Sequence, residues 1–424
     1  MRLLLTALIA LLPSIARADL SVRDFGAKGD ATADDSSAFQ RALDQAGKTG
    51  ERVTVPPGRY VLRSPISIPE QVTLAGTFDA PPRTQFTEGK LEKEKGSILL
   101  AYPGKGEENG TPLITLHGAS HLRGVIIYYP EQVLPDGKKA EPLPYPWTVR
   151  GDGDNCTITA TLIVNPYQAV DFGTKPCGRH FIDGLYAQPL KTGLLIDKCF
   201  DVGRVSNIHF WPFWRDDKKL EAWTAEHGTA FVIARTDWEY MSNCFCIFYS
   251  TGYHFVARAD GPGNAVLTNC GSDIGPRSVR VDATQNHAGV SFVNGQFMST
   301  IEVGPKNAGP VKFTACGFWG TEHTASHARI ENGNAGTVTF DGCHFTRWAQ
   351  ADKSAPCLAA ESGGLIVNAC EFLDTDPDLK HISLGESVQS ATIVANRFRS
   401  TAKIDNKSSG DVQIGLNSMP KGSY

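Results

Sequence analysis

Val311-Lys-Phe-Thr-Ala-Cys-Gly-Phe318 is followed by Val338-Thr-Phe-Asp-Gly-Cys-His-Phe345 and then by Leu365-Ile-Val-Asn-Ala-Cys-Glu-Phe372. A degraded copy, Thr392-Ile-Val-Ala-Asn-Arg-Phe398, closes the series, and the four terminal phenylalanines stand 27, 27 and 26 residues apart. Looser members precede them: Val205-Ser-Asn-Ile-His-Phe210, Ala265-Val-Leu-Thr-Asn-Cys270 and Val290-Ser-Phe-Val-Asn-Gly-Gln-Phe297. Within each copy apolar residues alternate with polar ones, the two-residue period of a strand. A small or polar pair, such as Asp341-Gly342 or Asn368-Ala369, then marks a bend. Gly, Asn, Thr and Val dominate, which argues against a helical solenoid.

Short strands and bends at this spacing satisfy their backbone only by pairing with the coils above and below. That describes a parallel β-helix rising about 4.8 Å per coil. A propeller needs about 40 to 50 residues per blade, and a sandwich has no reason to repeat Cys-x-Phe. Cys316, Cys343 and Cys370 read as one buried position repeated from coil to coil. The other seven cysteines stay unassigned, because pairing cannot be deduced from sequence.

Residues 1–18 read as an export signal: Arg2, an apolar run from Leu3 to Leu12 too short to span a bilayer, and Ala16-Arg17-Ala18 for cleavage. Residues 19–424 then form one solenoid domain, with no membrane span and a secreted or periplasmic location. A formal net charge of −4 disfavours nucleic acid or an anionic membrane as partner. An open solenoid end invites aggregation. Asp34-Asp35-Ser36-Ser37 followed by Ala38–Ala46 and Gly47 predicts a short capping helix within an N-terminal cap of about 19–50.

Val22-Arg-Asp-Phe-Gly-Ala-Lys-Gly-Asp30, Asp34-Asp35, that helix and Val55-Pro-Pro-Gly-Arg-Tyr60 together resemble the opening of the pectate-lyase-like proteins that include rhamnogalacturonases and related epimerases. The resemblance implies an all-β, right-handed parallel β-helix acting on carbohydrate by hydrolysis or β-elimination; some relatives are phage tailspikes. The chain lacks the Asn-Thr-Asp, Gly-His-Gly and Arg-Ile-Lys motifs of polygalacturonase-type members, and its Asp-Asp pairs lie in the cap and at Asp216-Asp217. Polygalacturonase activity and its catalytic residues therefore do not carry over.

Candidate chemistry concentrates in the middle of the chain. Trp211, Trp214, Trp223 and Trp238 fall close together; they suit stacking on pyranose rings, or packing of a long loop. Arg235-Thr-Asp-Trp-Glu-Tyr240 follows the strand-like run Thr229–Ala234. If that strand continues, Asp237 and Glu239 emerge on one face about 7 Å apart, the paired carboxylates of a glycosidase; the alternative is a solvated surface. Two further clusters could join them: Gly178-Arg179-His180-Phe-Ile-Asp183, and Asn269-Cys-Gly-Ser-Asp273-Ile-Gly-Pro-Arg277. The catalytic set read from sequence is thus Asp237, Glu239 and Asp273. The substrate-binding set is Arg179, His180, Trp211, Trp214, Arg235, Trp238, Tyr240 and Arg277.

No metal site or obligatory cofactor is expected. Asp152 and Asp154 offer either a calcium ligand pair or, in preference, a turn. The Pro-rich stretch 141–147 suits a rigid groove wall, and the charge run 90–95 a solvated surface. A glycoside hydrolase acting on a poly- or oligosaccharide leads these readings. A lyase would instead need Arg, Lys or His to neutralise a uronate, and a non-catalytic glycan binder is the third reading. The sequence is compatible with a monomer or a homotrimer.

Overall fold

A computed structural model describes residues 19–81, 95–137 and 139–420. The export signal and all but the last residue of the 90–95 charge run lie outside these. Among the described residues, no helix is long and apolar enough to cross a membrane.

The chain winds as a right-handed parallel β-helix with three faces, here called sheets A, B and C in the order the chain visits them in each coil. In one coil these are Glu239–Ser242, Phe245–Ile247 and Thr251–Phe255. Each strand pairs in parallel with its counterpart one coil on; Met241 of sheet A, for example, lies between Val205 and Leu267. Inward residues build one continuous core. The repeating phenylalanines pile up as expected: ring centroids of Phe318–Phe345, Phe345–Phe372 and Phe372–Phe398 are 5.0, 5.0 and 4.7 Å apart. A parallel stack on the neighbouring sheet runs Phe292–Phe313–Phe340, at 5.2 and 5.3 Å.

The bend between sheets A and B is one residue in the left-handed region. Asn207, Asn243, Asn269 and Asn294 hold it with φ of 54–55°, a conformation asparagine tolerates better than most residues. Their amides form an outward ladder, each Nδ2 donating to the Oδ1 one coil back, at 3.2, 3.2 and 2.8 Å. The residue after the bend turns inward. There Cys316, Cys343 and Cys370 are buried, joined by Cys244 and Cys270. None of the ten cysteines is disulfide-bonded.

At the N-terminal end, helix α1 (Ser36–Thr49) buries Phe39, Ala42, Leu43 and Ala46 against the first coil. It runs through Gly47 and stops at Gly50, whose left-handed φ of 74° ends it. The Asp35 carboxylate does not cap the helix; it accepts the amides of Lys28 and Gly29, at 2.6 and 3.2 Å.

Candidate functional site

Between sheets B and C one coil carries a long insertion holding helix α2 (Lys218–His227). The Asp217 side chain starts it by accepting the amides of Lys219 and Leu220, at 2.9 and 3.2 Å. Buried Leu220 roots it in the core, and the Ser250 amide donates to Thr224 O at 3.0 Å. Facing α2 are the B-to-C turns of the following coils. Two of them touch where the Phe248 amide donates to Ile274 O at 2.8 Å. Gly275 permits this approach, because a Cβ there would stand 2.2 Å from Tyr249 O.

A cleft of about 650 Å³ lies between helix and turns. Ala222, Ala225, Phe248 and Pro276 give it an apolar wall, while Arg277, Glu302 and Arg329 rise from the outward face of sheet C. Glu221 enters from α2, nearly buried. Its Oε2 accepts from Lys218 Nζ at 2.9 Å, whereas its buried Oε1 has no hydrogen-bond partner among the described residues. Burial pushes the Glu221 carboxyl above its ordinary range; Lys218 opposes the shift and Asp216 reinforces it. Glu302 sits differently, 3.2 Å from Arg280 Nη1 and 3.8 Å from Arg277 Nη1. Arg277 is aimed by Thr251 Oγ1 and Ser250 Oγ, at 3.2 and 3.1 Å. Arg329 makes no ion pair among the described residues. An apolar wall, guanidinium groups at its rim and two carboxyl groups in unlike surroundings are the parts that acid–base chemistry on a polar ring substrate requires.

Of the residues singled out from sequence, Arg277 lines this cleft. Asp273 stands beside it, half-buried, its carboxyl raised by burial against a 2.8 Å bond from the Ile274 amide. Glu221, Glu302, Lys218 and Arg329 were not anticipated. A signal for Glu221 existed in Asp217 capping a run of helix formers. Glu302 is the outward residue of Thr300–Val303, indistinguishable in sequence from any solvated strand position.

Asp237 and Glu239 do not share an exposed face. The strand Thr229–Ile233 ends, and Trp238 takes a left-handed φ of 66° before sheet A begins at Glu239. That reversal sends Glu239 into the core at 0% exposure, where its Oε1 lies 3.2 Å from His180 Nε2. His180 is equally buried, and its Nδ1 lies 2.8 Å from Cys177 O. Burial opposes charging this imidazole, but Glu239 and Cys199 together outweigh it and lift the ring above its ordinary value. Asp237 stays on the turn, held by Arg235 Nη1 and Nη2 at 2.5 and 3.0 Å and by Gln285 Nε2 at 3.1 Å. The Arg235 hydrogen bonds keep its carboxyl below the usual range.

The remaining residues fall into two groups. Trp211 packs on His209 and Phe245, Trp214 is buried, and Trp223 packs on Tyr167 and His227, so these three serve the α2 insertion as loop-packing rings. Trp223 Nε1 also donates to Glu141, tying the Pro-rich stretch to α2. By contrast, Trp238 is 58% exposed and Tyr240 is also open. Tyr240 stands in an outward sheet A column, Phe181–Arg204–Tyr240–Val266. Arg235 lies 5.6 Å over the exposed Phe200 ring. Arg179 pairs with Asp154 and Asp201 at 2.6 and 3.0 Å. Asp154 also accepts the Gly178 amide one coil on, at 2.9 Å. The sequence-predicted set is thus divided between the sheet A edge, the core and the α2 cleft.

Residues 20–120 match the rhamnogalacturonase A/epimerase, pectate lyase-like family, which bears out the resemblance of the opening motif. An exopolygalacturonase of Arabidopsis thaliana is 38% identical over 76 residues, a match covering 17% of this chain and 17% of that protein. The A-module of the Azotobacter vinelandii mannuronan C-5 epimerase AlgE6 superposes with a TM-score of 0.58 at 14% identity, over 95% of this chain and all of that one. Gene product 12 of bacteriophage phi29 gives 0.59 at 13% identity, over 94% of this chain and 55% of that one. At these identities the structural likeness establishes the β-helix fold.

Proposed function

We propose that this pectate-lyase-like β-helix is a carbohydrate-active enzyme that hydrolyses a polysaccharide in the α2 cleft, outside the cytoplasm. The observation that carries the reading is the pairing, in one cleft, of a desolvated carboxyl with a raised pKa, Glu221, and a guanidinium-flanked carboxylate, Glu302. Glu221 protonates the leaving oxygen and Glu302 activates water. Phe248 stacks on a sugar face, while Arg277 and Arg329 bind hydroxyl or uronate oxygens. Nothing in this chemistry calls for a cofactor. Support for a glycan substrate comes from the family match over residues 20–120 and from the short exopolygalacturonase similarity.

A second reading is β-elimination on a uronate-containing glycan along the sheet A edge. The observation favouring it is Arg204 in register with the open ring of Tyr240, and Arg235 over the exposed ring of Phe200. Digestion of a glycan panel that includes polygalacturonan and alginate separates the two. Hydrolysis yields new reducing ends without ultraviolet absorbance, whereas elimination yields an absorbing unsaturated uronide. Folded Glu221→Gln and Glu302→Gln variants that both retain wild-type cleavage would exclude the α2 cleft as the site.

A further inference from the structure

In the inward column that opens sheet A, the residues at successive coils are Cys156, His180, Gly203, Glu239 and Ala265. Further along, the column is purely apolar: Val290, Val311, Val338 and Leu365. His180 and Glu239 reach towards each other across Gly203, and the Cys199 thiol joins them. One donor atom from each of the three lies within 4.8 Å of the others, and all three residues are buried. Glu239 Oε2 is buried without any hydrogen-bond partner among the described residues. A carboxylate oxygen so placed is costly unless a cation meets it. The His180 Nδ1 to Cys177 O contact of 2.8 Å fixes the ring so that Nε2 faces the cluster, the support that metal-bound imidazoles ordinarily have.

We propose that His180 Nε2, Cys199 Sγ and the Glu239 carboxylate bind one Zn²⁺ inside the solenoid. Thiolate, imidazole and carboxylate together suit zinc among the common divalent ions. Binding releases to solvent both the Cys199 thiol proton and the His180 Nε2 proton that faces Glu239 Oε1, so one thiolate and one carboxylate balance the two charges of the ion beside a neutral imidazole and leave the core neutral. Cys199 exchanges its 2.7 Å contact with Asp201 O for the metal bond. The site is closed to solvent, so the ion enters during folding and acts as a structural staple. It is independent of the glycan cleft.

The test refolds the full chain from denaturant with a chelator, or with one equivalent of Zn²⁺ or Co²⁺. The expected result is one ion retained per chain, a higher Tm in Zn²⁺ than in chelator, and a thiolate-to-cobalt charge-transfer band. Cys199→Ser should abolish that band, and His180→Gln should weaken Zn²⁺ retention at least about tenfold. Equal Tm with chelator and Zn²⁺, with no cobalt band in the wild-type chain, would overturn the proposal whether or not the variants fold. A band that survives Cys199→Ser would overturn the ligand assignment.

Discussion

His180 and Glu239 stand two coils apart in one inward column and meet, Nε2 to Oε1 at 3.2 Å, because the residue between them, Gly203, has no side chain. A Cβ at Gly203 would lie 2.1 Å from Glu239 Oε2 and 2.6 Å from His180 Cε1. Gly203→Ala is therefore expected to destabilise the protein by about 1–3 kcal/mol through overpacking. Gly415→Ala, where nothing lies within 4 Å, serves as the control. Denaturant unfolding of the two variants measures the difference; equal midpoints would refute the close contact.

Glu221 is held above its ordinary value mainly by burial. A general acid works only while protonated, so the alkaline limb of kcat should lie above the ordinary carboxylate pKa of 4.5. Glu221→Gln should lower kcat by about 10²–10⁴ and remove that limb. The pH profiles of wild type and variant on a cleaved glycan decide it.

Asp282 gains hydrogen bonds from His254 and Arg280, at 2.7 Å each, and its carboxyl is depressed to about 2. A depressed folded-state value stabilises above the unfolded carboxylate pKa and is lost as pH falls through about 2. Because the group is partly exposed, solvent screening reduces the gain to about 1 kcal/mol. Asp282→Asn should thus lower Tm at pH 7, by progressively less as pH falls towards and below about 2, a comparison that thermal melts across that range can make.

Phe340 stacks on Phe313 and meets Phe345 of the neighbouring sheet edge to face, with centroids 5.3 and 5.5 Å away. Truncation to alanine should cost about 3–5 kcal/mol. A solenoid transmits such a loss mainly to adjacent coils, so hydrogen exchange should quicken around residues 311–372 before it does near α1.

The fold was legible because the phenylalanine repeat reports a physical stack: residues like Phe318 and Phe345 recur in sequence since they touch in space. The site was far less so. Reading Asp237 and Glu239 as neighbours on one strand assumed that alternation continues. The strand instead ends at Ile233, and a left-handed Trp238 turns Glu239 inward, with nothing in a tryptophan to announce a positive φ. Glu221 and Glu302 are brought together by a helix folding over three later coils, a contact without a local pattern. Gly203 was equally silent, since its role depends on the two residues one coil away on either side.

The α2 insertion interrupts the contour of only one coil. On either side of it the strands keep unbroken register, Leu194 opposite Phe231 and Phe231 opposite Tyr253. The insertion thus supplies one wall of the cleft and the stacked coils the other. Exchanging residues 211–228 for another segment between the same two strand ends would reshape one wall of the cleft, provided the new segment again plugged the interior where Phe213, Trp214 and Leu220 now sit.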